Sequence, residues 1–401
     1  MTVWVRRLVA DERVWLVAAL VLATRLVIAV PGRFGDLAVY RWGGGTVWTD
    51  GALYAATYTG PGADHALPFT YPPFAAMLFW PLSWVPLDVL ARLWIVLSLV
   101  LLARVCLLLV RATGSGAATA RRDALVVLCA AMLAEPLSST LGYGQINVLL
   151  LWLVVEDLLG YGARPGARRR ITGVLTGSAA GIKVTPLLLV AYLAVVGRVR
   201  DAGRAALAFF ATVALAAVVV PHTAWTFWTR ALWEPDRAGG VSFVNNQSLA
   251  AMLTRLVHHE LPARVWLLPA AVVAVASLVV ARRLHTRGDD VLALGSVVLG
   301  MLLASPISWT HHWVWAVVPA VAMWRASRGG RVIAASFLVL AVTAVLYLPQ
   351  RVGTPDLAWS AWELVVGNGY ALWALVALGW CAQRSRRDAP ADAMLVPCPA
   401  T

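Results

Sequence analysis

The sequence is poor in charged side chains. Asp, Glu, Lys and Arg together make up 13% of its 401 residues, whereas hydrophobic residues make up 60%. Soluble domains carry about 25% charged and about 45–50% apolar residues. The deficit of charge therefore excludes a soluble globular protein, a disordered chain and a nucleic-acid-binding protein. Because a helix that crosses a bilayer needs about 20 mostly apolar residues, the composition predicts an all-α polytopic membrane protein.

Lysine and cysteine are also scarce. Lys183 is the only lysine, and the cysteines number four. Cys106, Cys129, Cys381 and Cys398 show neither a paired spacing nor a metal-binding motif, so we expect free thiols and no disulfide. The histidines and carboxylates show no metal-ligand spacing either, and we predict no metal site.

The arginines predict the topology. The net charge is +13, and basic residues gather on the cytoplasmic side of membrane proteins. Assigning the main arginine clusters to the cytoplasm requires six excursions, which means about twelve crossings with both termini cytoplasmic. The outer-face loops then span 32–88, 135–147, 222–264, 305–313 and 350–366. The clusters lie at 6–13, 104–122, 164–170, 198–204, 282–287, 325–331 and 384–387.

Residues 1–387 are predicted to form one transmembrane domain, and 388–401 a disordered cytoplasmic tail. Segment 69–88 contains four prolines together with Trp80 and Trp84, which favours a helix lying along the membrane surface. Each arm of segment 171–197 has only about 12 residues, or about 18 Å of helix against a core of about 30 Å. Either this segment forms broken helices beside a cavity, or it crosses once and the count of twelve is too high.

Asp36 is the main candidate for acid–base chemistry. It follows the first apolar run by a few residues, at the predicted outer surface of the membrane. A carboxylate there could accept a proton from a substrate hydroxyl. The alternative is a loop aspartate that pairs with Arg33 or Arg41.

His311, His312 and Lys183 are candidates for binding a phosphate. The histidine pair lies between two apolar runs, and Lys183 follows the apolar run 171–182. An ionisable group at membrane depth usually faces a cavity, and histidine can bind a phosphate oxygen or donate a proton. The alternatives are a histidine that bonds to a loop and a lysine that extends to the membrane surface.

Amide and aromatic side chains recur on the outer face. Such groups suit sugars, because amides donate and accept hydrogen bonds while rings cover the apolar faces of a sugar. The alternative is capping of loops. The candidates are Tyr40, Tyr143, Gln145, Asn147, Asn246 and Gln247.

Six short motifs occur in the order found in a known family. On these motifs the chain resembles the actinobacterial polyprenol-phosphate-mannose-dependent mannosyltransferases, glycosyltransferase family 87, which have the GT-C membrane fold. The motifs are Asp36–Tyr40, Tyr71–Pro73, Gly144–Asn147, Lys183–Pro186, Asn246–Ser248 and Ser308–Trp313.

The resemblance implies an inverting transfer of mannose from a polyprenyl-phosphate donor to a phosphatidylinositol mannoside, in α-1,2 linkage, at the extracytoplasmic face of the plasma membrane. It implies Asp36 as general base, with His311 and His312 at the donor phosphate or the acceptor. The implied partners are the two lipid substrates and membrane lipids, with no nucleic acid and no cofactor besides the lipid-linked sugar.

Three other functions stay open at this point. The chain could branch lipomannan, or it could transfer arabinofuranose from a polyprenyl-phosphate donor. It could instead transport a lipid or sugar, although transporters often show internal repeats and central binding groups. A non-catalytic scaffold is a further alternative, and it would need no acid at position 36.

Overall fold

The structure is a computed structural model that describes residues 10–29, 34–49, 51–161, 171–234, 237, 239–349 and 356–386. The predicted disordered tail, the arginine cluster at 164–170 and residues 350–355 of the last predicted outer loop lie outside this range. Within it, helices form nearly all of the regular structure, and Thr57–Tyr58 (β1) pairs antiparallel with Leu67–Pro68 (β2).

Nineteen α-helices are assigned in the described part of the chain, joined by short 3-10 turns at Trp80–Trp84, Ala231–Trp233, Thr310–Ala316 and Val345–Tyr347 and by a π-helical turn at Glu156–Tyr161. The helices are Glu12–Ala29 (α1), Gly35–Thr46 (α2), Ala52–Ala55 (α3), Pro73–Phe79 (α4), Leu87–Ala112 (α5), Ala117–Leu133 (α6), Glu135–Tyr143 (α7), Asn147–Val155 (α8), Val174–Ile182 (α9), Leu187–Val195 (α10), Val199–Val219 (α11), Pro221–Thr229 (α12), Leu249–Leu256 (α13), Ala263–His285 (α14), Asp290–Ala304 (α15), Val317–Ala326 (α16), Arg328–Thr343 (α17), Ala361–Gly367 (α18) and Gly369–Arg384 (α19).

Three of the described helices are long and apolar enough to cross a membrane, namely α5, α11 and α14. Two bent pairs, α6 with α7 and α18 with α19, raise the number to five if each pair is one span, with bends of 70° and 71°. The predicted all-α membrane fold is thus confirmed, but the count of twelve crossings is not. Of the two alternatives for segment 171–197, the structure shows broken helices: α9 and α10 have nine residues each, about 14 Å of helix apiece.

Helix α15 forms the centre of the molecule. Its residues Val291–Leu303 are all buried, because this helix is apolar on every face and packs against α14, α16 and α19. A helix without a polar face is stable only inside a larger assembly of helices. The thiols of Cys106, Cys129 and Cys381 are buried and free, which confirms the prediction for the described cysteines.

The predicted outer loops are largely folded. Segment 32–88 contains α2, α3, the β1–β2 hairpin and α4, segment 135–147 is mostly α7, and segment 222–264 contains α12 and α13. These segments carry buried aromatic rings, such as Tyr40 stacked on Phe79 at 4.7 Å between centroids, and burial requires their backbone groups to bond internally. Gly44 permits the close packing of α2 on α4, since a Cβ there would lie 2.4 Å from the Phe79 carbonyl oxygen.

Candidate active site

Asp36 stands in the first turn of α2. The turn before it is held against the end of α7, because the Phe34 amide donates to the Gly142 carbonyl at 3.0 Å. Gly144 ends α7 with a φ of +69°, and a Cβ at Gly144 would lie 2.5 Å from the Leu37 Cβ. Only glycine meets both conditions without strain. This junction brings Asp36 next to the residue that follows the glycine, Gln145.

Gln145 links Asp36 to two tyrosines. Its side-chain oxygen accepts hydrogen bonds from the hydroxyls of Tyr40 at 3.1 Å and Tyr71 at 3.2 Å. These two donors fix the orientation of the carboxamide. Its NH₂ group donates a hydrogen bond to the Asp36 carboxyl. Arg41 donates instead to the Val85 carbonyl at 2.8 Å. The geometry therefore gives Asp36 an amide partner and Arg41 an unrelated one, whereas Arg33 lies outside the described residues.

Lys183 lies at the break between α9 and α10. Its Nζ is 3.0 Å from His312 Nε2, 3.2 Å from Asn147 Oδ1 and 3.5 Å from the Tyr71 hydroxyl. An ammonium group only donates, so His312 accepts through Nε2 and carries its proton on Nδ1. The break between these two short helices therefore places the only lysine of the chain in the same cluster as Asp36.

The two histidines lie in the 3-10 turn Thr310–Ala316. The His311 carbonyl accepts from Thr140 Oγ1 at 2.8 Å and from Asn147 Nδ2 at 3.2 Å. Burial lowers the pKa of both imidazoles, and the Lys183 ammonium lowers it further. Both rings are therefore neutral at pH 7, which favours hydrogen bonding over a role as imidazolium.

His311 carries a buried ring nitrogen beside the cavity. Its Nε2 is enclosed and has no hydrogen-bond partner within the described chain. The ring meets Tyr143 edge-on at 5.4 Å between centroids and lines the cavity described next. An unpaired buried polar atom is unfavourable unless a bound group satisfies it.

A cavity of about 1400 Å³ opens onto Asp36, Lys183 and both histidines. Sites for one small molecule usually measure about 300–1,000 Å³, so this cavity has room for parts of two substrates. Its lining combines polar and apolar regions. The polar lining includes Asp64, His65, Thr70, Ser138, Ser139, Tyr143, Gln145, Thr185, Arg237 and Asn245, and the apolar lining includes Val184, Leu188, Phe227, Leu232, Phe243, Ala274, Met301 and Ala304.

The electrostatics at Asp36 suit a general base. Burial raises the pKa of this carboxyl from 3.8 to about 6, while the Gln145 hydrogen bond and the Lys183 charge act in the opposite direction. At pH 7 Asp36 is mostly a carboxylate, and its proton affinity is close to that which acid–base catalysis near neutral pH requires.

Asn246 and Gln247 lie away from the cluster around Asp36. Both are fully buried. The Asn246 side chain bonds to backbone atoms of segments 241–248 and 306–308, and the Gln247 side chain to the Val244 and Gly367 carbonyls and the Tyr370 amide. Their geometry therefore matches the loop-capping alternative, and their neighbours Phe243 and Asn245 reach the cavity instead.

Arg255 in α13 holds this same loop. Its guanidinium is fully buried and donates to the carbonyls of Ser242, Phe243 and Asn246 and to Asn368 Oδ1, over the Trp359 ring.

Replacing Arg255 with methionine is expected to lower the free energy of unfolding by about 3 kcal/mol or more, since each buried acceptor left without a donor costs about 1–3 kcal/mol. Thermal unfolding of the purified protein in detergent measures this change. The exposed Arg264 supplies the matched Arg264→Met control, expected within about 0.5 kcal/mol of the unchanged protein. Equal stability of the two variants would contradict the prediction.

Glu135, a carboxylate of the predicted outer segment 135–147, does not line the cavity. It accepts hydrogen bonds from Ser139, from Tyr347 at 2.8 Å and from Tyr370 at 3.1 Å. Its hydrogen-bond partners tie α7 to the Tyr347 turn and α19.

Tyr71 and Arg237 are among the cavity residues that the sequence-based prediction missed. Tyr71 belongs to the Tyr71–Pro73 motif, but nothing local marked its hydroxyl as a partner of Lys183. Arg237 belongs to no motif and to none of the arginine clusters, so no sequence signal singled it out. Among the described residues no three His, Cys, Asp or Glu side chains come together to hold a metal.

The buried helices and this cluster define a membrane protein with a carboxylate and a lysine on one large cavity. The chain belongs to glycosyltransferase family 87, whose profile matches residues 69–306. It is therefore a glycosyltransferase. No solved structure matches the chain.

Three curated relatives are similar over most of their length. The chain is 35% identical over 371 residues to the polyprenol-phosphate-mannose-dependent alpha-(1-2)-phosphatidylinositol pentamannoside mannosyltransferase of Mycobacterium tuberculosis (strain CDC 1551 / Oshkosh), covering 88% of this chain and 82% of the relative. The protein of that name in Mycolicibacterium smegmatis (strain ATCC 700084 / mc(2)155) is 34% identical over 379 residues, with coverages of 90% and 88%. The phosphatidylinositol mannoside mannosyltransferase of Mycobacterium tuberculosis (strain ATCC 25618 / H37Rv) is 32% identical over 400 residues, with coverages of 91% and 88%.

Proposed function

We propose that the protein is an inverting mannosyltransferase. It moves mannose from a polyprenyl-phosphate donor to a phosphatidylinositol mannoside acceptor and forms an α-1,2 linkage. The names of the relatives support the donor, the acceptor and the linkage. The observation that carries the proposal is the joint presence of Asp36 and Lys183 on one cavity with space for two substrates.

Asp36 acts as the base. Its carboxylate takes the proton of an acceptor mannose 2-hydroxyl, and the oxygen attacks the anomeric carbon of the donor. The bond between that carbon and the phosphate oxygen breaks on the opposite face, and polyprenyl phosphate leaves with the electron pair. Attack opposite the leaving group inverts the configuration, so a β-linked donor yields an α-linked product.

The leaving phosphate gains negative charge as the bond breaks. A cation that is already in position lowers the barrier, because it need not reorganise during the reaction. Lys183 is held in this way by His312 and Asn147. His311 Nε2, which is buried on the cavity wall, contacts a substrate oxygen. Asp36 is oriented by Gln145, which is itself held by Tyr40 and Tyr71. The Tyr143 ring packs against an apolar face of a sugar.

The finer architecture is part of the proposal. We infer a GT-C-like fold in one domain, 1–387, with about twelve crossings, both termini cytoplasmic and a surface helix within 69–88. The site opens on the extracytoplasmic face of the plasma membrane. The arginine clusters support this orientation, as does the gathering of the cluster from predicted outer segments. Since the sequence offers no metal-ligand spacing, we expect no metal requirement, and EDTA should leave turnover unchanged.

The rate of transfer is expected to depend on pH through Asp36. Because its pKa is raised to about 6, the base form dominates at pH 7 and falls to about one tenth at pH 5. The turnover number should therefore level off near pH 7 and drop about tenfold per pH unit below about pH 5. A pH profile at saturating substrates measures this limb. A profile that stays flat down to pH 4 would contradict the assignment.

A transfer assay tests the proposed function. Purified protein in nanodiscs is incubated with polyprenyl-phosphate mannose and a phosphatidylinositol mannoside, and the product is analysed for its linkage. An α-1,2-mannosylated product supports the proposal. Product only with lipomannan, or only with the polyprenyl-phosphate arabinofuranose donor, indicates one of the related transferases. Movement of lipid across the bilayer without any product indicates a transporter.

A further inference from the structure

Arg237 presents an incompletely paired guanidinium to the cavity. Its Nη2 donates to the Tyr54 carbonyl at 2.9 Å, and its Nη1 is 3.7 Å from Glu234 Oε2. The Nε atom is buried and has no hydrogen-bond partner among the described residues. The side chain lines the same cavity as Asp36 and Lys183. The Arg237 side chain is 21% exposed, so part of its guanidinium is accessible to an oxygen bound in the cavity.

The surroundings of Arg237 are apolar. The guanidinium lies over the Tyr54 ring at 6.0 Å from its centroid, and Tyr54 packs on Phe227 at 5.5 Å. Phe227 and Leu232 form the neighbouring wall of the cavity. An arginine at an apolar wall fits an anion that continues into a hydrocarbon chain, since the planar guanidinium matches phosphate oxygens in a two-point contact.

We propose that Arg237 binds the phosphate of the polyprenyl donor. The inference rests on the proposed function, which brings two phosphate-bearing lipids to the protein. The donor phosphate is bonded directly to the reacting carbon and must enter the cavity that holds Asp36. The acceptor phosphate is separated from the reacting hydroxyl by the inositol and mannose rings. Arg237 thus supplies a second cation for the donor phosphate, beside the apolar wall that includes Phe227.

The experiment compares Arg237→Met and Arg237→Lys with a matched control, Arg230→Met. Arg230 also pairs with Glu234, at 3.0 Å, but its side chain is 78% exposed and does not line the cavity. Four quantities are measured for each protein: KM for the donor, KM for the acceptor, the Kd of decaprenyl phosphate and the thermal unfolding temperature.

Arg237→Met is expected to raise the donor KM and the Kd of decaprenyl phosphate by about 10- to 100-fold, as loss of a charge-assisted contact predicts. The acceptor KM should stay unchanged. Arg237→Lys should recover part of the loss, because it restores the charge without the two-point contact. Arg230→Met should resemble the unchanged protein in all four measurements.

Other outcomes overturn the proposal. A rise in the acceptor KM alone would assign Arg237 to the acceptor phosphate. An unchanged Kd of decaprenyl phosphate, with or without a lower unfolding temperature, would leave Arg237 only a structural link between Glu234 and Tyr54. If the unchanged protein transfers no mannose, the proposed function fails, and the Kd comparison still decides whether Arg237 binds a polyprenyl phosphate.

Discussion

Replacing Asp36 with asparagine is expected to reduce the turnover number by about 10²- to 10⁴-fold, the usual contribution of a general base. Asparagine has nearly the same shape and keeps a hydrogen-bonding partner for Gln145, but it cannot accept a proton from the acceptor hydroxyl. Binding of both lipids should therefore persist. The measurement is mannose transfer at saturating substrates, together with the Kd of decaprenyl phosphate.

The control for this variant is Asp88→Asn. Asp88 also stands in the first turn of a helix, α5, but it is exposed and does not line the cavity. It should retain full turnover. A fully active Asp36→Asn enzyme would contradict the assignment of the base. In that case Glu135→Gln would be tested next, although the tyrosines that bond to Glu135 argue for a supporting role.

Replacing Lys183 with methionine is expected to reduce the turnover number by about 10²- to 10³-fold, the usual effect of removing one preorganised group that stabilises developing charge. Methionine keeps the length of the side chain and removes the ammonium. The lysine charge also lowers the pKa of Asp36. Its loss should therefore raise that pKa and move the acidic limb of the pH profile to higher pH.

The shifted limb separates a charge effect from misfolding, because a destabilised protein loses activity without moving the pKa of Asp36. Lys183→Arg serves as the conservative variant. It keeps the charge and should restore the acidic limb, but the planar guanidinium cannot reproduce the compact contacts to His312 and Asn147, so only part of the turnover should return. If the acidic limb of the Lys183→Met profile lies at the same pH as in the unchanged protein, the proposed effect of Lys183 on the pKa of Asp36 is wrong.

The sequence-based selection of site residues agrees with the structure around Asp36. Gln145, Asn147, Lys183 and His312 were chosen separately as polar residues of predicted outer segments, and the structure joins them by hydrogen bonds or charge. The structure brings these residues together, and polar side chains are rare in this chain. In a membrane-spanning chain, an ionisable or amide group that remains between apolar runs usually faces a cavity.

Other polar side chains that the sequence singled out bond to the backbone instead of lining the cavity. Asn246 and Gln247 looked like sugar-binding amides, but burial required them to satisfy the backbone of a folded loop. Segments 32–88, 135–147 and 222–264 were predicted to be loops, but they contain helices whose aromatic residues pack against the bundle. Neither outcome is visible in local sequence, because both depend on which distant segment packs alongside.

The sequence by itself determined the class of the protein and its candidate chemistry. The high apolar content predicted membrane helices. The scarcity of lysine and acidic residues singled out Lys183 and Asp36. Only the tertiary structure decided how these groups meet: which oxygen orients Asp36, which histidine accepts from Lys183, and that Arg237 joins the cavity. The physical reason is that composition and charge act along one chain segment at a time, whereas hydrogen-bond partners follow from the packing of helices far apart in sequence.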